Sequence, residues 1–443
     1  MSYLLQIAVL CVLGISIMFL ELRRQSIDFL FIFSGFYTVG YIISPLSILI
    51  GGGDYVQSNV ASAYAVYGAG SLKGIFAIVA FYILVRISYT RVRFDLGRKN
   101  IFQIGSDFAY RFSIICLAVT IISTLIYSFQ HGGLIRAISL AEQIRAGEIE
   151  GGSLVFFKNF LPFAYISFLM MFSIVLEEIT NDSNISSKSI LMLCLSGIIL
   201  FWVILLLAGR IRIISAVAII YLSIKNHTGK HHIKYFIPLL TITVFVGLFG
   251  NALYQYLLTE NIRTIISFKD NLLVGIYSTI ISEFSHMYIS LSVAIQYEGT
   301  SRIMIDWVLG LLHLTPQRLV PIQVPGTISH VNTFLTRGEY TSEIIPGIVA
   351  FSWYSGSWFG PMIGGISYGL LGRICEDTLD KVQQSPLKHI IYYSVAMIWG
   401  FTFIRSGDPR ILFKQNFTWF VTYFIVAVYL LYNQKEESRV QHQ

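Results

Sequence analysis

Long apolar segments alternate with short polar ones along most of the chain. Most of these segments are about 18–22 residues long, the length that an α-helix needs to cross a bilayer. Because backbone polar groups find no water inside a bilayer, such segments are expected to be helical. The pattern predicts an all-α polytopic membrane protein with about eleven transmembrane helices (10–12). The predicted spans are 3–20, 28–50, 73–90, 111–128, 159–177, 189–208, 211–224, 235–252, 347–371, 388–404 and 414–432.

Composition agrees with a membrane protein. Of the 443 residues, 55% are hydrophobic and 12% are charged, whereas soluble domains carry about 25% charged residues. The 31 basic and 24 acidic residues give a net charge of +7. Membrane topology and an anionic substrate account for this excess, so no nucleic-acid partner is predicted. The four cysteines are scattered and show neither metal-ligand spacing nor a disulfide framework.

Lysine and arginine in alternate short loops set the orientation, because cytoplasmic loops are enriched in positive charge. The first residue then lies outside and the tail inside, or, with one further short span near the start, both termini lie in the cytoplasm and the long outer loop keeps its side. The chain is predicted to be a single integral membrane domain, 1–443, with outer loops at 129–158 and 253–346. The loop residues assigned to the cytoplasm are Arg23, Arg24, Arg86, Arg91, Arg93, Arg98, Lys99, Lys225, Lys230, Lys234, Arg373, Lys381 and Lys388.

The second outer loop is unusually long and mixes charged residues with aromatic ones such as Tyr277, Trp307 and Phe334. Disordered segments are poor in aromatic residues, so this composition favours folded material. Within the loop, residues 271–297 are apolar with polar residues at helical spacing. They predict two short re-entrant or interfacial helices rather than a span.

Arginine is the main basic residue on the predicted outer side. Its planar fork suits bidentate recognition of phosphate, although single arginines near a membrane also extend towards lipid head groups. Arg210 and Arg212, in LLLAGRIRIISA, occupy a tight turn between two apolar runs, where they are well placed to hold a lipid diphosphate. The predicted substrate-binding residues are Arg136, Arg145, Arg210, Arg212, Arg302, Arg318, Arg337 and Arg405.

His330 and Glu343 are the predicted catalytic residues. His330 lies in TISHVNTFLTRGEY, just before the chain re-enters the membrane, and Glu343 follows downstream. Histidine titrates near neutral pH and can accept a proton from a sugar hydroxyl; Glu343 is the alternative base. His286, three residues after Glu283 and on the same helical face, is a further candidate.

Several motifs that hold nucleotides or metals are absent from the sequence. There is no Walker loop, no His-Glu-x-x-His and no Asp-x-Asp. We therefore predict no metal and no cofactor. If the protein is an enzyme, the leaving group of its substrate must already be activated.

Three segments carry a resemblance to a known family. They are LLLAGRIRIISA, a small-residue–Arg turn after a leucine-rich span; SHVNTFLT followed by IPGIVAFSWYSGSWFGPMIGG; and FIRSGDPR before the last span. Arg136 and Gly147 also bracket ten residues, whereas Arg337 and Gly347 bracket nine. These segments, with about a dozen spans and one large outer loop, resemble the O-antigen (oligosaccharide repeat unit) polymerases.

The resemblance implies a glycosyltransferase with a GT-C-like fold in the bacterial inner membrane. Its substrates would be undecaprenyl-diphosphate-linked glycans on the periplasmic face, and its products O-antigen or a similar surface polysaccharide. Membrane lipids are expected partners, and a polysaccharide chain-length regulator is a candidate partner. Two alternatives stay open: an O-antigen ligase, in which His330 would match an outer-loop histidine, and a flippase or exporter of the same lipid-linked glycan.

Overall fold

The computed structural model describes most of the chain, with several gaps. The described residues are 2–24, 27–68, 70–94, 104–146, 149, 154–181, 185–207, 210–229, 272–297, 299, 301–315, 324–339 and 343–441. Every regular element in these residues is helical. The predicted span 235–252 lies outside the described residues, so the count of about eleven spans stays a prediction.

The chain divides into two compact units, each of which is described by itself. The first unit comprises residues 1–96, 271–377 and 395–415, and the second comprises 97–270, 378–394 and 416–443. The main α-helices of the first unit are Ser2–Leu22, Phe29–Thr38, Ser44–Gly51, Ala61–Tyr67, Leu72–Arg91, Leu272–Gln296, Asp306–Leu312, Ile328–Arg337, Ile348–Gly356, Phe359–Leu379 and Pro409–Gln415. Those of the second are Ser106–Gln130, Leu134–Ser139, Ala141–Ala146, Phe163–Thr180, Ser187–Leu207, Arg210–Thr228 and Phe417–Gln441, and helix Pro386–Met397 crosses the boundary in the chain.

Seven helices among the described residues are long and apolar enough to cross a membrane, and a bent pair raises this number to eight. The protein is therefore a polytopic helical membrane protein. Large apolar side chains such as Leu4, Ile15 and Phe424 point outward and are more than half exposed. Exposed apolar surface of this kind is typical of helices that face lipid. The candidates are Tyr3–Leu22, Phe29–Tyr55, Leu72–Arg91, Ser106–Gln130, Val155–Thr180, Ser187–Leu207 and Pro386–Ser406, with the bent pair Pro409–Gln415 and Phe417–Tyr432.

Two predicted elements differ from what the structure shows. Residues 271–297 do not form two short helices: Leu272–Gln296 is one continuous helix of 25 residues, and most of its C-terminal half is buried. The predicted span 347–371 is broken into Ile348–Gly356 and Phe359–Leu379. At the break, Ser357 has a φ of 49°, a left-handed conformation that a continuous helix cannot contain.

Close helix packing organises the first unit. Helix Phe359–Leu379 presents Gly365 and Gly369 to helix Leu72–Arg91. A Cβ atom on Gly369 would lie 2.4 Å from the carbonyl oxygen of Val85, and one on Gly365 would lie 2.8 Å from that of Phe81. Small residues four apart allow two backbones to approach in this way, which is a common device in membrane proteins.

Candidate functional site

The helix Ile328–Arg337, which carries His330, is held at its N-terminus by two buried carboxylates. Asp408 accepts hydrogen bonds from the Thr327 hydroxyl (2.7 Å) and from the Ser329 amide (3.2 Å). Asp306 accepts one from the amide of Ile328 (2.8 Å). The first amides of a helix have no partner within it, and carboxylates there also interact favourably with the helix dipole. The position of His330 is therefore fixed by residues from distant parts of the chain.

Asn332 connects the same helix to the segment that carries Glu343. Its side-chain amide donates to the carbonyl oxygen of Ile344 (2.9 Å) and to the Ser290 hydroxyl (3.0 Å). Its side-chain oxygen accepts from Tyr354 (3.1 Å), and the Ile344 amide donates to Thr333 (2.7 Å). Asn332 is fully buried. This network explains why Glu343 lies beside His330.

His330, Glu343 and Arg410 form one cluster. His330 Nε2 lies 3.7 Å from Glu343 Oε1, and Arg410 Nη2 lies 2.5 Å from Glu343 Oε2. The Arg410 side chain is 11% exposed, whereas that of Glu343 is 44% exposed. The structure thus brings the two predicted catalytic residues together and adds an arginine that the sequence analysis did not assign to the site.

The surroundings of His330 favour its neutral form. Burial lowers the pKa of His330 below its ordinary value, and the positive charge of Arg410 lowers it further; the carboxylates of Glu343 and Asp408 oppose this in part. The His313 ring stacks near His330, with ring centroids 6.3 Å apart. A neutral imidazole at neutral pH can accept a proton, which is the requirement for a general base.

A tight turn supplies both Asp408 and Arg410. Gly407 has a φ of 60°, and a Cβ atom there would lie 2.2 Å from the carbonyl oxygen of Gly347. The amide of Gly347 in turn donates to the Ser406 carbonyl oxygen (3.3 Å). Only glycine fits this close approach. The sequence signal for this turn is FIRSGDPR, and neither Asp408 nor Arg410 is among the predicted site residues.

Arg302 is a predicted substrate-binding residue with an internal partner. Its Nε and Nη2 atoms donate to the two carboxylate oxygens of Asp306 (2.8 and 2.9 Å), and Nη2 also donates to the Gly326 carbonyl oxygen (3.0 Å). Asp306 is 1% exposed. A bidentate pair of this kind favours a structural role, and the prediction that Arg302 binds substrate is untested.

Arg405 and Arg337 also lie in the first unit. Arg405 Nη2 lies 3.3 Å from Glu283, and its carbonyl oxygen lies 3.4 Å from His286 Nε2. His286 is buried. Arg337 ends its helix and donates to the Asn59 carbonyl oxygen (2.9 Å). Arg318 lies outside the described residues.

The remaining predicted arginines belong to the second unit. Arg136 is exposed in helix Leu134–Ser139, and Arg145 lies in helix Ala141–Ala146. Arg210 is the first residue of helix Arg210–Thr228 and Arg212 lies in its first turn, where the helix dipole favours anions. One apolar core brings these elements together. Its buried members include Tyr127, Ala137, Ile138, Ala141, Leu161, Tyr165, Leu206, Leu207 and Ala216.

Among the described residues, no group of three or more histidine, cysteine or acidic side chains is arranged to hold a metal ion. Comparison of the chain with known family models, with curated proteins and with solved structures finds no match.

Proposed function

We propose that this protein is a membrane glycosyltransferase that polymerises undecaprenyl-diphosphate-linked oligosaccharide repeat units into O-antigen or a similar surface polysaccharide. The observation that carries the proposal is the meeting of His330, Glu343 and Arg410 from distant segments of one unit. A base that takes the proton and positive charge that stabilises the leaving diphosphate are the groups that this transfer needs.

In the proposed reaction the growing chain moves from one lipid carrier to the distal sugar of a fresh repeat unit. His330 takes the proton as the O–H bond of the acceptor hydroxyl breaks. The hydroxyl oxygen forms a bond to the anomeric carbon of the donor. The bond from that carbon to the diphosphate oxygen breaks, and its electron pair stays on the diphosphate. The oxygen of a lipid diphosphate leaves readily once its charge is stabilised, so arginine side chains suffice and no acid is required.

Glu343 has a supporting part in this scheme. Its carboxylate faces His330 Nε2 at 3.7 Å, so it stabilises the imidazolium that forms when the proton is taken. The proposed candidates for binding the diphosphate and the glycan are Arg136, Arg145, Arg210, Arg212, Arg318, Arg337 and Arg405. The GT-C-like fold, the count of eleven spans and a site on the periplasmic face of the inner membrane belong to the same proposal.

The decisive measurement is polymerisation of purified lipid-linked repeat unit by the wild type and by His330→Ala and Glu343→Gln. We expect His330→Ala to lower turnover about 100-fold or more at unchanged membrane abundance. Glu343→Gln should retain part of the activity. Full activity in the His330 variant, with a dead Glu343 variant, would show that the carboxylate is the base.

The lipopolysaccharide pattern of a deletion strain separates the enzyme classes. Loss of a polymerase leaves single repeat units on the lipid core, whereas loss of a ligase leaves none. Loss of an exporter blocks surface display of the glycan altogether. Only the first of these patterns is compatible with the proposal.

The proposed location has its own test. A reporter fused near Gly299 should be active only outside the cytoplasm, and one fused near Lys230 only inside. A cytoplasmic Gly299 would remove the argument from the outer arginines, because those residues would then follow the ordinary enrichment of positive charge in cytoplasmic loops.

A further inference from the structure

Arg302 and Arg410 are both largely buried and both face a carboxylate, but their contacts differ. The Nε and Nη2 atoms of Arg302 both donate hydrogen bonds to Asp306, whose side chain is 1% exposed. Arg410 Nη2 lies 2.5 Å from Oε2 of its carboxylate partner, Glu343. The Nε atom of Arg410 is buried and has no hydrogen-bond partner in the described part of the chain. Arg302 thus forms a complete bidentate pair with Asp306. Arg410, in contrast, still has an N–H group that can donate to another oxygen.

The partner of Arg410 is also less fixed than that of Arg302. Glu343 is 44% exposed, so its carboxylate can move into water at little cost. A buried guanidinium without any counter-charge is unfavourable, because desolvation of the charge is then not compensated. Arg410 therefore requires an anion, but that anion need not be Glu343.

The backbone holds Arg410 in place independently of Glu343. Its amide donates to Asp408 Oδ1 (2.8 Å), and Asp408 is at the same time fixed to Thr327 and Ser329. The backbone that carries the Arg410 side chain is therefore fixed to the helix that carries His330. The Nε and Nη2 atoms of Arg410 form the fork that matches two oxygens of a phosphate group.

We propose that Arg410 is a binding residue for the diphosphate of the lipid-linked donor, and that the Glu343 carboxylate occupies the place of the diphosphate on Arg410 until the donor binds. This inference rests on the function proposed above and adds a residue and an order of events to it. The incoming phosphate displaces Glu343 from the guanidinium. The released carboxylate stays within reach of His330 and stabilises its protonated form.

The test is binding of farnesyl diphosphate, a soluble lipid diphosphate, to the purified full chain in nanodiscs, measured by calorimetry. The variants are Glu343→Gln, Arg410→Gln and Asp54→Asn. Asp54 is an exposed acidic residue of the same unit, and its variant controls for loss of one negative charge at a distance. Inorganic diphosphate and farnesol are the comparison ligands.

We expect Glu343→Gln to bind farnesyl diphosphate about tenfold more tightly than the wild type, because the competing carboxylate is gone. Arg410→Gln should bind it at least about tenfold more weakly, and Asp54→Asn should stay within about twofold. Inorganic diphosphate should show the same order of variants, whereas farnesol should not distinguish them. An effect with inorganic diphosphate alone would contradict a site for a lipid-linked donor.

Two results would contradict the proposal. Equal affinity in Glu343→Gln and Asp54→Asn would overturn the displacement of Glu343, and unchanged affinity in Arg410→Gln would overturn the role of the arginine. If Arg410→Gln does not fold, the affinity of Glu343→Gln, compared with that of Asp54→Asn and the wild type, tests the proposal by itself. The polymerisation assay is a separate readout: a chain that polymerises but shows no tightening keeps the proposed function and loses this inference.

Discussion

The side-chain amide of Asn332 donates a 2.9 Å hydrogen bond to the carbonyl oxygen of Ile344. His330 lies two residues before one end of this bond, and Glu343 lies one residue before the other. The bond therefore sets the distance between the two proposed catalytic side chains. A polar residue that touches no substrate thus determines the geometry of the site.

Replacing Asn332 with alanine should destabilise the protein and inactivate it together. The change leaves the Ile344 carbonyl group and the Tyr354 hydroxyl buried without their partner, so we expect a loss of about 1–3 kcal/mol in the free energy of unfolding. The thermal unfolding midpoint in detergent measures this loss. Ser62→Ala, which removes one part-buried bond to the Thr336 carbonyl oxygen of the same helix, should cost about 0.5–1.5 kcal/mol at most. Equal midpoints for Asn332→Ala and the wild type would contradict the role given to Asn332.

On the acidic side of the pH profile, the fall in activity should follow the protonation of His330. Burial and Arg410 lower the pKa of His330 below 6.5, so its neutral, proton-accepting form persists into mildly acidic solution. Activity should fall only when the pH drops through that lowered pKa. In Arg410→Gln the loss of a positive charge raises the pKa, and this fall in activity should move to higher pH. The measurement is kcat/KM of polymerisation between pH 5 and 8, with Asp54→Asn as the control. A fall in activity that stays in place in Arg410→Gln would argue that another group titrates.

Arg210 should contact the donor through a fork rather than through a point charge. We expect Arg210→Ala to abolish polymerisation and Arg210→Lys to fail largely, because an ammonium group does not replace two parallel donors. The cost should be on the order of 2–4 kcal/mol, or roughly 30- to 1000-fold in rate. Chain length on gels, at equal expression, is the readout. Wild-type chain lengths in both variants would show that Arg210 does not bind the donor.

We expect Arg302 to have a structural role and Arg405 a functional one. Removing Arg302 leaves the buried Asp306 carboxylate without its cation, which typically costs about 3–5 kcal/mol. We therefore expect Arg302→Ala to reduce the amount of folded protein, as judged by size-exclusion chromatography. Arg405 faces the more exposed Glu283 (40%), so Arg405→Ala should stay folded and lose activity. A folded but inactive Arg302→Ala would instead support the predicted substrate contact.

The sequence by itself determined the class of the protein and the positions of its candidate membrane-spanning helices. Apolar segments must form helices in a bilayer whatever their neighbours are, so the seven candidate spans and the bent pair all lie at predicted spans. The pair of Arg302 and Asp306 is close in sequence, but Arg302 precedes the helix that begins at Asp306, and the backbone between them turns through positive φ at Ile303 and Met304. Histidine chemistry and the position of His330 before the membrane segment pointed to one member of the site.

Only the tertiary structure decided which residues meet. Asp408 follows Thr327 by 81 residues, and Arg410 reaches Glu343 across a comparable length of chain. Such pairings depend on buried hydrogen bonds and on the close approach of Gly347 and Gly407, which no local periodicity encodes. The break at Ser357 and the single helix Leu272–Gln296 were likewise set by packing, because hydropathy records how apolar a segment is but not where its backbone bends.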